Sequence, residues 1–290
     1  MARRRRVGVC IFCGQTGTMT REHVVARWGR EAVATQIGLN KPVRMVRSSR
    51  PGQVLRTDIG LSIRLNDSIC GPCNNGWLHE WEDKVGPWLA PAVRSEITAI
   101  GDGAMREWTA AWAVKTALLY VASLHLQSGE GFVPQSHLKW LYENRKTPKP
   151  PPGSQVWFAA LDTQSTAGQS TTMWLGDHIG TPEAYITTFA IGHLVVQVFG
   201  QDFINETTAV GGGPINVLKM PRAFLPYAVQ IWPEVDGDPV VVWPPRSRLT
   251  EVDLRVFASW AGMKLTPTRM IEGRRGRITP VTVIEPSEPT

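Results

Sequence analysis

Cysteine is scarce: the chain has four in 290 residues, grouped as Cys10 with Cys13 and Cys70 with Cys73. So few cysteines in a chain this long argue against a scaffold held together by disulfides. A thioredoxin-like redox motif would account for one C-x-x-C pair but not for two, and neither pair lies in a strand–helix–strand pattern. Two such pairs instead predict a structural Zn²⁺ bound by four thiolates, with a long insertion between Cys13 and Cys70.

Long hydrophobic runs are also missing. The arginines at positions 3–6 resemble the start of a signal peptide, but Gly8 and the first Cys pair interrupt the apolar run that follows. The nearest candidate for a membrane span, residues 108–126, has Lys115 in its middle. Because a charged side chain is costly at the centre of a bilayer, a buried helix of a soluble protein is the better interpretation. We therefore expect a cytoplasmic protein that does not contact membranes.

Charge is distributed unevenly along the chain. A hydrophobic content of 42% with 19% charged residues excludes disorder over the whole chain. The net charge is +6, yet residues 1–84 carry 14 Lys or Arg and 7 Asp or Glu, while residues 85–290 carry 17 and 18. The basic excess thus lies in the segment that holds both Cys pairs, which favours a polyanion as its partner.

The sequence pattern divides the chain into segments that together predict an α+β fold. Residues 1–84 hold the Cys pairs, residues 85–146 have a helical pattern, and residues 154–271 are rich in predicted strands. The sequence TPKPPPG at 147–153 predicts a stiff connector, because proline disrupts a helix. Residues 272–290 are expected to form a poorly ordered tail.

Alternating apolar residues predict antiparallel strands in the C-terminal segment. The predicted strands are residues 156–161, 184–191, 193–199, 227–232 and 240–243, followed by a helix over 251–261. In the helical segment, Trp108, Trp112, Lys115 and Leu119 share one helix face, whose tryptophans we expect to pack in the core. Lys115 itself is expected to be paired, or to reach solvent, at the helix surface.

Two short motifs next to the Cys pairs carry the candidate chemistry: TREHVV at 20–25 and CGPCNNGW at 70–77. A single zinc site closed over both Cys pairs would draw these motifs together. His23 is a candidate general base near neutral pH. Glu22 and the amide carbonyl of Asn74 are hard oxygen ligands that suit Mg²⁺ or Mn²⁺. A base, a hard cation and a basic surround are suited to hydrolysis of a phosphodiester.

This order of motifs resembles the HNH endonuclease family, in which a ββα-metal core carries an added four-Cys zinc site. The resemblance covers residues 10–84 and implies that His23 is the general base, with Glu22 and Asn74 as ligands of a catalytic cation. The middle Asn of the family holds the loop that contains the base, and it matches Asn66 or Asn75. A Lys often follows the last motif in the family, and Trp77 stands there in this chain.

The same resemblance implies a DNA substrate and a product with a 5′-phosphate. One such site cuts one strand, so a double-strand break would need a homodimer or two binding events. RNA is an alternative substrate, although the sequence lacks the aromatic stacking signature that would support it.

Basic residues crowd the insertion between the Cys pairs. Across residues 24–64 the only acids are Glu31 and Asp58, against eight Lys or Arg. This imbalance favours contacts with phosphates, which position a nucleic acid without identifying its sequence. With the neighbouring Arg21, the candidate contact residues are Arg27, Arg30, Arg44, Arg47, Arg50, Arg56 and Arg64.

A second class of protein remains open on the sequence. A zinc-ribbon protein that binds nucleic acid without catalysis would need the same Cys pairs and basic residues, and Glu22 and His23 would then be incidental. His79 lies close to the second Cys pair and could be a metal ligand, but a surface or core position is the better interpretation. The remaining histidines have no acid, Cys or His at ligand spacing, so we expect structural roles for them. They are His125, His137, His178 and His193.

Overall fold

The computed structural model has an α+β architecture, as the sequence predicts. It describes residues 6–37, 44–48, 56–59, 64–100, 103–128, 133–162, 168–175, 183–202, 219–234 and 240–265. The expected tail at 272–290, together with Lys41, Arg50 and His178, lies outside the described residues. No helix within the described ranges combines the length and the apolar character that crossing a membrane requires.

The helices are α1 (Arg27–Ile37), α2 (Gly71–Cys73), α3 (His79–Val93), α4 (Gly103–Ser128), α5 (Gln135–Glu143) and α6 (Glu251–Leu265). A π-helical turn at Asn74–Leu78 joins α2 to α3. The strands are β1 (Val7–Val9), β2 (Thr16–His23), β3 (Arg44–Ser48), β4 (Arg56–Ile59), β5 (Arg64–Cys70), β6 (Thr98–Ile100), β7 (Gln155–Ala160), β8 (Gly168–Leu175), β9 (Glu183–Ile191), β10 (Leu194–Asp202), β11 (Ala228–Trp232) and β12 (Val241–Trp243).

A three-stranded antiparallel sheet with the order β1-β2-β5 forms the N-terminal unit. β5 runs into α2 at Cys70, and Pro72 favours the start of that helix because its ring already has helical φ. The chain then continues through the π-helical turn into α3. The paired strands β2 and β5 are thus followed directly by helix.

The insertion between the two Cys pairs contributes helix α1, which packs against α3 at Gly86. A Cβ atom at Gly86 would lie 3.0 Å from the ring of Trp28, so a larger residue in α3 would push α1 away. Trp28 also contacts Trp112 of α4, with 5.4 Å between the ring centroids. The three helices therefore pack together behind the N-terminal sheet.

Helix α4 lies in the core, and its residues 110–119 are fully buried. Trp112 contacts Phe189 of the C-terminal sheet, with 6.2 Å between ring centroids, so α4 lies between the N-terminal unit and that sheet. The core packing predicted for Trp112 and Leu119 is confirmed. Lys115 forms an ion pair, which is one of the two alternatives expected, but its predicted position at the helix surface is wrong because its side chain is 0% exposed.

The C-terminal half is built on a seven-stranded sheet with the order β11-β7-β10-β9-β8-β3-β4. β9 and β10 form an antiparallel hairpin, and Gly192 in its turn has a φ of 57°, which glycine adopts without strain. The strands predicted at 156–161, 184–191, 193–199 and 227–232 are confirmed within a few residues at their ends. The strand predicted at 240–243 is β12, which pairs with β6 in a separate two-stranded sheet.

Two strands of the basic insertion extend this C-terminal sheet. β3 pairs antiparallel with β4 and parallel with β8, at the end of the sheet remote from β11. The insertion thus reaches from the N-terminal unit to the sheet edge, and Arg44, Arg47 and Arg56 are placed on these two strands. Sequence periodicity did not predict this pairing, because it identifies strands and not their distant partners.

Candidate functional site

Four cysteine thiols converge beside the N-terminal sheet. Cys10 and Cys13 lie in the turn after β1, Cys70 ends β5, and Cys73 ends α2. The four Sγ atoms lie within 4.8 Å of one another, and those of Cys13 and Cys70 are 3.7 Å apart. A tetrahedral site with Zn–S bonds of about 2.3 Å has S···S separations of about 3.8 Å. The predicted convergence is confirmed, and the cluster fits a metal ion such as zinc.

The protonation of these thiols also suits a bound cation. The contact between the two side chains, together with burial, raises the pKa of Cys73, and the same contact lowers the pKa of Cys10. The buried thiols therefore do not ionise equally on their own. A metal ion with its positive charge would allow all of them to be thiolates.

Backbone hydrogen bonds fix the first Cys pair against β5. The amide of Ile11 donates to the carbonyl of Ser68 over 3.0 Å, and the amide of Gly14 donates to the carbonyl of Cys10 over 2.9 Å. Gly14 has a φ of 68°, which closes the turn without strain. The cysteine cluster thus joins the two strands on which the candidate catalytic residues lie.

Glu22 and His23 end strand β2, opposite the start of β5. The strand register pairs Glu22 with Leu65 and His23 with Arg64. A register shift between Thr20 and Arg21 interrupts the alternation of β2. As a result Arg21 is exposed, Glu22 is buried and His23 is partly exposed.

The carboxyl of Glu22 is 7% exposed and sits among charged groups. Burial raises the pKa of Glu22 to about 7; Lys115 and Arg30 oppose this rise, and Glu82 adds to it. The anionic form of this carboxyl is therefore destabilised in the protein alone. A bound cation would stabilise that anion, so the chemistry of Glu22 fits a hard divalent cation.

Lys115 and Glu82 form an ion pair close to Glu22; the sequence predicted that Lys115 is paired, but neither its partner nor its burial. The Nζ of Lys115 lies 2.7 Å from Oε1 of Glu82, with the side chains 0% and 13% exposed. The indication of this pair in the sequence is a single Lys within an apolar helix. The partner could not be identified from the sequence, because Glu82 lies 33 residues earlier on another helix.

His23 accepts a hydrogen bond at Nε2 from Nε of Arg64, over 3.0 Å. Burial lowers the pKa of His23, and the nearby guanidinium groups of Arg30 and Arg64 lower it further. The imidazole is therefore neutral at pH 7, which is the protonation state that a general base requires.

Asn74 contacts the strand that carries Glu22 and His23. Its Nδ2 donates to Oγ1 of Thr20 over 2.8 Å and approaches the carbonyl of Arg21 at 3.5 Å. The hydroxyl of Thr20 in turn donates to the carbonyl of Ile69 in β5 over 2.8 Å. Because the amide nitrogen makes both contacts, the carbonyl oxygen Oδ1 is the atom of Asn74 that suits a cation.

The two candidates for the middle Asn have different surroundings. Asn66 is exposed, pairs with Arg21 in the strand register, and accepts a hydrogen bond from the hydroxyl of Ser68 at its backbone carbonyl. Asn75 is exposed in the π-helical turn. Asn66 thus lies on the strand that pairs with β2, next to the Glu22–His23 dipeptide, whereas Asn75 lies in the turn that follows α2.

Trp77 occupies the position where the family often has a Lys, and it serves as a core residue. It is buried, and its ring contacts Phe12 at 5.1 Å and Trp81 at 4.8 Å between centroids. The indole therefore packs the first Cys turn against α3, and another group would have to contact a phosphate there.

The described arginines of the candidate interface differ in their surroundings. Arg21 and Arg64 are exposed. Arg27 is exposed and forms an ion pair with Glu31 over 2.7 Å. Arg30 is partly buried, and its charge acts on Glu22 and His23. Arg30 thus lies within the site itself.

Three described histidines outside the site have the surface or structural surroundings that the sequence predicts. His79 is exposed, with Nε2 3.4 Å from Asp83. His137 is buried between the hydroxyl of Tyr185 at 3.1 Å and the backbone carbonyl of Gln201 at 2.8 Å, and burial lowers its pKa to about 4. His193 is buried and hydrogen-bonded to the carbonyl of Leu161.

The site therefore combines a cluster of four thiols that could hold a metal ion with a buried carboxyl, a neutral imidazole and several guanidinium groups. No family model matches this chain, and no curated protein or solved structure matches it.

Proposed function

We propose that this chain is a metal-dependent endonuclease of the HNH type that hydrolyses phosphodiester bonds in DNA. The observation that carries the proposal is the geometry around the end of β2. Glu22 and His23 end that strand, and Asn74 donates a hydrogen bond to Thr20, two residues before Glu22. The four Cys residues, which could hold a metal ion, bring the turn before this strand together with the end of β5 and α2.

In the proposed site, Glu22 and Oδ1 of Asn74 hold Mg²⁺ or Mn²⁺, and zinc occupies the four-Cys cluster. When bound, the divalent cation supplies charge stabilisation at the scissile phosphate and the leaving oxygen. Zinc has a structural role only, because four thiolates leave no open coordination position.

His23 acts as the general base. Its imidazole takes one proton from a water molecule, and the oxygen of that water forms a bond to phosphorus while the bond to the 3′-oxygen breaks. The 3′-oxygen leaves with the electron pair and takes a proton from solvent, which leaves a 5′-phosphate on the other product. The lowered pKa of His23 keeps its imidazole neutral, as a general base must be.

The surrounding arginines are proposed to hold the DNA backbone. Arg21 and Arg64 are exposed at the end of the β2–β5 pair, beside the candidate base. β3 and β4 carry three further arginines along the edge of the large sheet. Guanidinium groups bind phosphates well, because their planar donors match the phosphate oxygens.

The alternative function is nucleic-acid binding without catalysis. It is favoured by the buried charges, because Glu22 beside the Lys115–Glu82 pair could belong to a structural charge cluster. In that case the four-Cys unit and the basic insertion would form a zinc-ribbon binding module.

A plasmid-nicking assay separates the two functions. The zinc-loaded protein is incubated with supercoiled DNA without added cation, with Mg²⁺ or with Mn²⁺, and binding is followed in parallel by gel shift. The nuclease proposal predicts nicked circles only when the cation is added. Binding with no nicking across several cations and substrates, single-stranded DNA and RNA included, would support the binding module instead.

A further inference from the structure

Arg64 donates a hydrogen bond to Nε2 of His23, the proposed general base. A guanidinium has N–H donors and no acceptor, so Nε–H of Arg64 is the donor and Nε2 of His23 is the acceptor over 3.0 Å. A neutral imidazole that accepts at Nε2 carries its proton on Nδ1. The ring then has no free lone pair with which to take a proton from water.

The position of Arg64 allows this contact to be exchanged. Arg64 pairs with His23 at the first residue of β5, and its side chain is exposed, so the guanidinium can turn without disturbing the core. A phosphate is a stronger acceptor than a neutral imidazole, and its oxygens can take two donors of one guanidinium at once.

The charges that face His23 favour such an exchange. Arg30 on α1 and Arg64 on β5 act on the imidazole with positive charge, while Glu82 on α3 acts with negative charge. Glu22 lies next to His23 on β2, and Glu82 is neutralised by Lys115 of α4. Because Glu22 is buried, the exposed guanidinium of Arg64 is the charge that an anion, such as a backbone phosphate, meets at the exposed side of His23.

We infer that Arg64 inhibits the general base His23 in the free protein through this hydrogen bond, and that a backbone phosphate of the nucleic acid releases the base by binding the guanidinium. We call this arrangement the latch. In the free protein Arg64 blocks Nε2 of His23. In the complex the guanidinium moves to a phosphate next to the scissile bond, and Nε2 is left free to accept the proton of water. Arg64 is thus a positioning residue that couples hydrolysis to binding of a polyanion. This inference rests on the proposed nuclease function.

The latch can be observed without measuring cleavage. The ¹⁵N chemical shift of Nε2 in His23 reports whether this nitrogen accepts a hydrogen bond. It is measured at pH 8 in the zinc-loaded protein, and the signal is assigned by its loss in His23→Gln. Arg64→Ala removes the donor, and Arg27→Ala is the matched control, because Arg27 is an exposed arginine whose partner is Glu31.

We expect Arg64→Ala to shift the Nε2 signal to the position of a free acceptor, and Arg27→Ala to leave it unchanged. A saturating short DNA duplex, added without divalent cation, should move the wild-type signal in the same direction. The latch is wrong if the Nε2 signal is insensitive to Arg64→Ala, or if it stays in place when the duplex is bound. These outcomes do not depend on nicking, so failure of the latch and failure of the nuclease proposal are distinguishable.

Hydrolysis of a small phosphodiester gives a second test. Bis(p-nitrophenyl) phosphate offers little binding energy with which to displace Arg64. Removing the hydrogen bond should therefore raise kcat for this substrate roughly 2- to 10-fold, while kcat/KM for plasmid DNA falls about 10-fold because a phosphate contact is lost. A fall in kcat for both substrates would contradict the latch, because a residue that only supports the fold would affect both in the same direction.

Discussion

Lys115 of α4 lies with its Nζ 2.7 Å from Oε1 of Glu82 on α3, and neither side chain is exposed to an appreciable extent. The same two charges act on Glu22 at the end of β2. A helix that follows the proposed nuclease segment in the chain therefore sets the electrostatic surroundings of its carboxyl. The site depends on residues beyond the HNH-like motifs.

Lys115→Met should destabilise the fold by about 3–5 kcal/mol, because it leaves Glu82 buried beside Glu22 without its partner. The double variant Lys115→Met with Glu82→Leu should lose less of the free energy of unfolding than Lys115→Met alone, because replacing both charges by apolar groups removes the uncompensated carboxylate. Both are measured by urea unfolding at pH 7.5.

The exposed pair of Lys139 and Glu143 provides the control for this measurement, with 3.7 Å between the charged atoms. Lys139→Ala should change the free energy of unfolding by no more than about 0.5 kcal/mol. If Lys115→Met lowered the free energy of unfolding as little as Lys139→Ala does, the buried ion pair would not stabilise the fold around the site.

Glu22→Gln should stabilise the protein above pH 7 in the absence of added divalent cation. The pKa of Glu22 is about 7 in the fold, above the ordinary value of 4.5, so the folded state binds more protons than the unfolded state between these pH values. The stabilisation that the protonated carboxyl of Glu22 contributes is fully present below pH 4.5 and is lost as the pH rises through 7. The substitution should therefore add about 1–3 kcal/mol at pH 8 and little at pH 4.5.

Saturating Mg²⁺ extends the experiment on Glu22. It should stabilise the wild type at pH 8 and leave Glu22→Gln unaffected, since a ligand stabilises only the state that binds it. Equal stabilisation of both proteins by Mg²⁺ would remove Glu22 from the proposed cation site.

The four-Cys cluster should bind one zinc per chain, measured by elemental analysis of protein purified without added metal. Cys73→Ser should lower the zinc content, because it removes one of four ligands. Amide hydrogen exchange should then accelerate at residues 10–14 and 64–78, while the amides of β9 and β10 stay protected. Unchanged zinc content, or faster exchange spread evenly over the chain, would contradict a local structural site.

Local patterns explain why much of the fold could be predicted from the sequence. The two C-x-x-C pairs predicted the cluster of Cys10, Cys13, Cys70 and Cys73, since ligand spacing follows directly from the chemistry of the metal. The hairpin around Gly192 was predicted because alternation and a turn residue lie together in the sequence. Helix α4 was predicted from its apolar periodicity.

Long-range pairing explains what the sequence did not predict. Lys115 was placed at a helix surface, because its partner Glu82 lies on another helix. The parallel pairing of β3 with β8 joins segments more than a hundred residues apart, and strand patterns do not encode such partners. The hydrogen bond between Arg64 and His23 likewise depends on the register of two strands separated by the whole insertion.

The most direct measurement of the central claim is the rate of Mg²⁺-dependent nicking by His23→Ala, compared with wild type and with His79→Ala. His79 is the control because it is an exposed histidine close in sequence, paired with Asp83 outside the site. Zinc content, circular dichroism and DNA binding are checked for all three proteins. We expect His23→Ala to keep its fold and its DNA binding but to lose nicking activity. His79→Ala should nick DNA at the wild-type rate. Wild-type activity in His23→Ala would contradict the central claim.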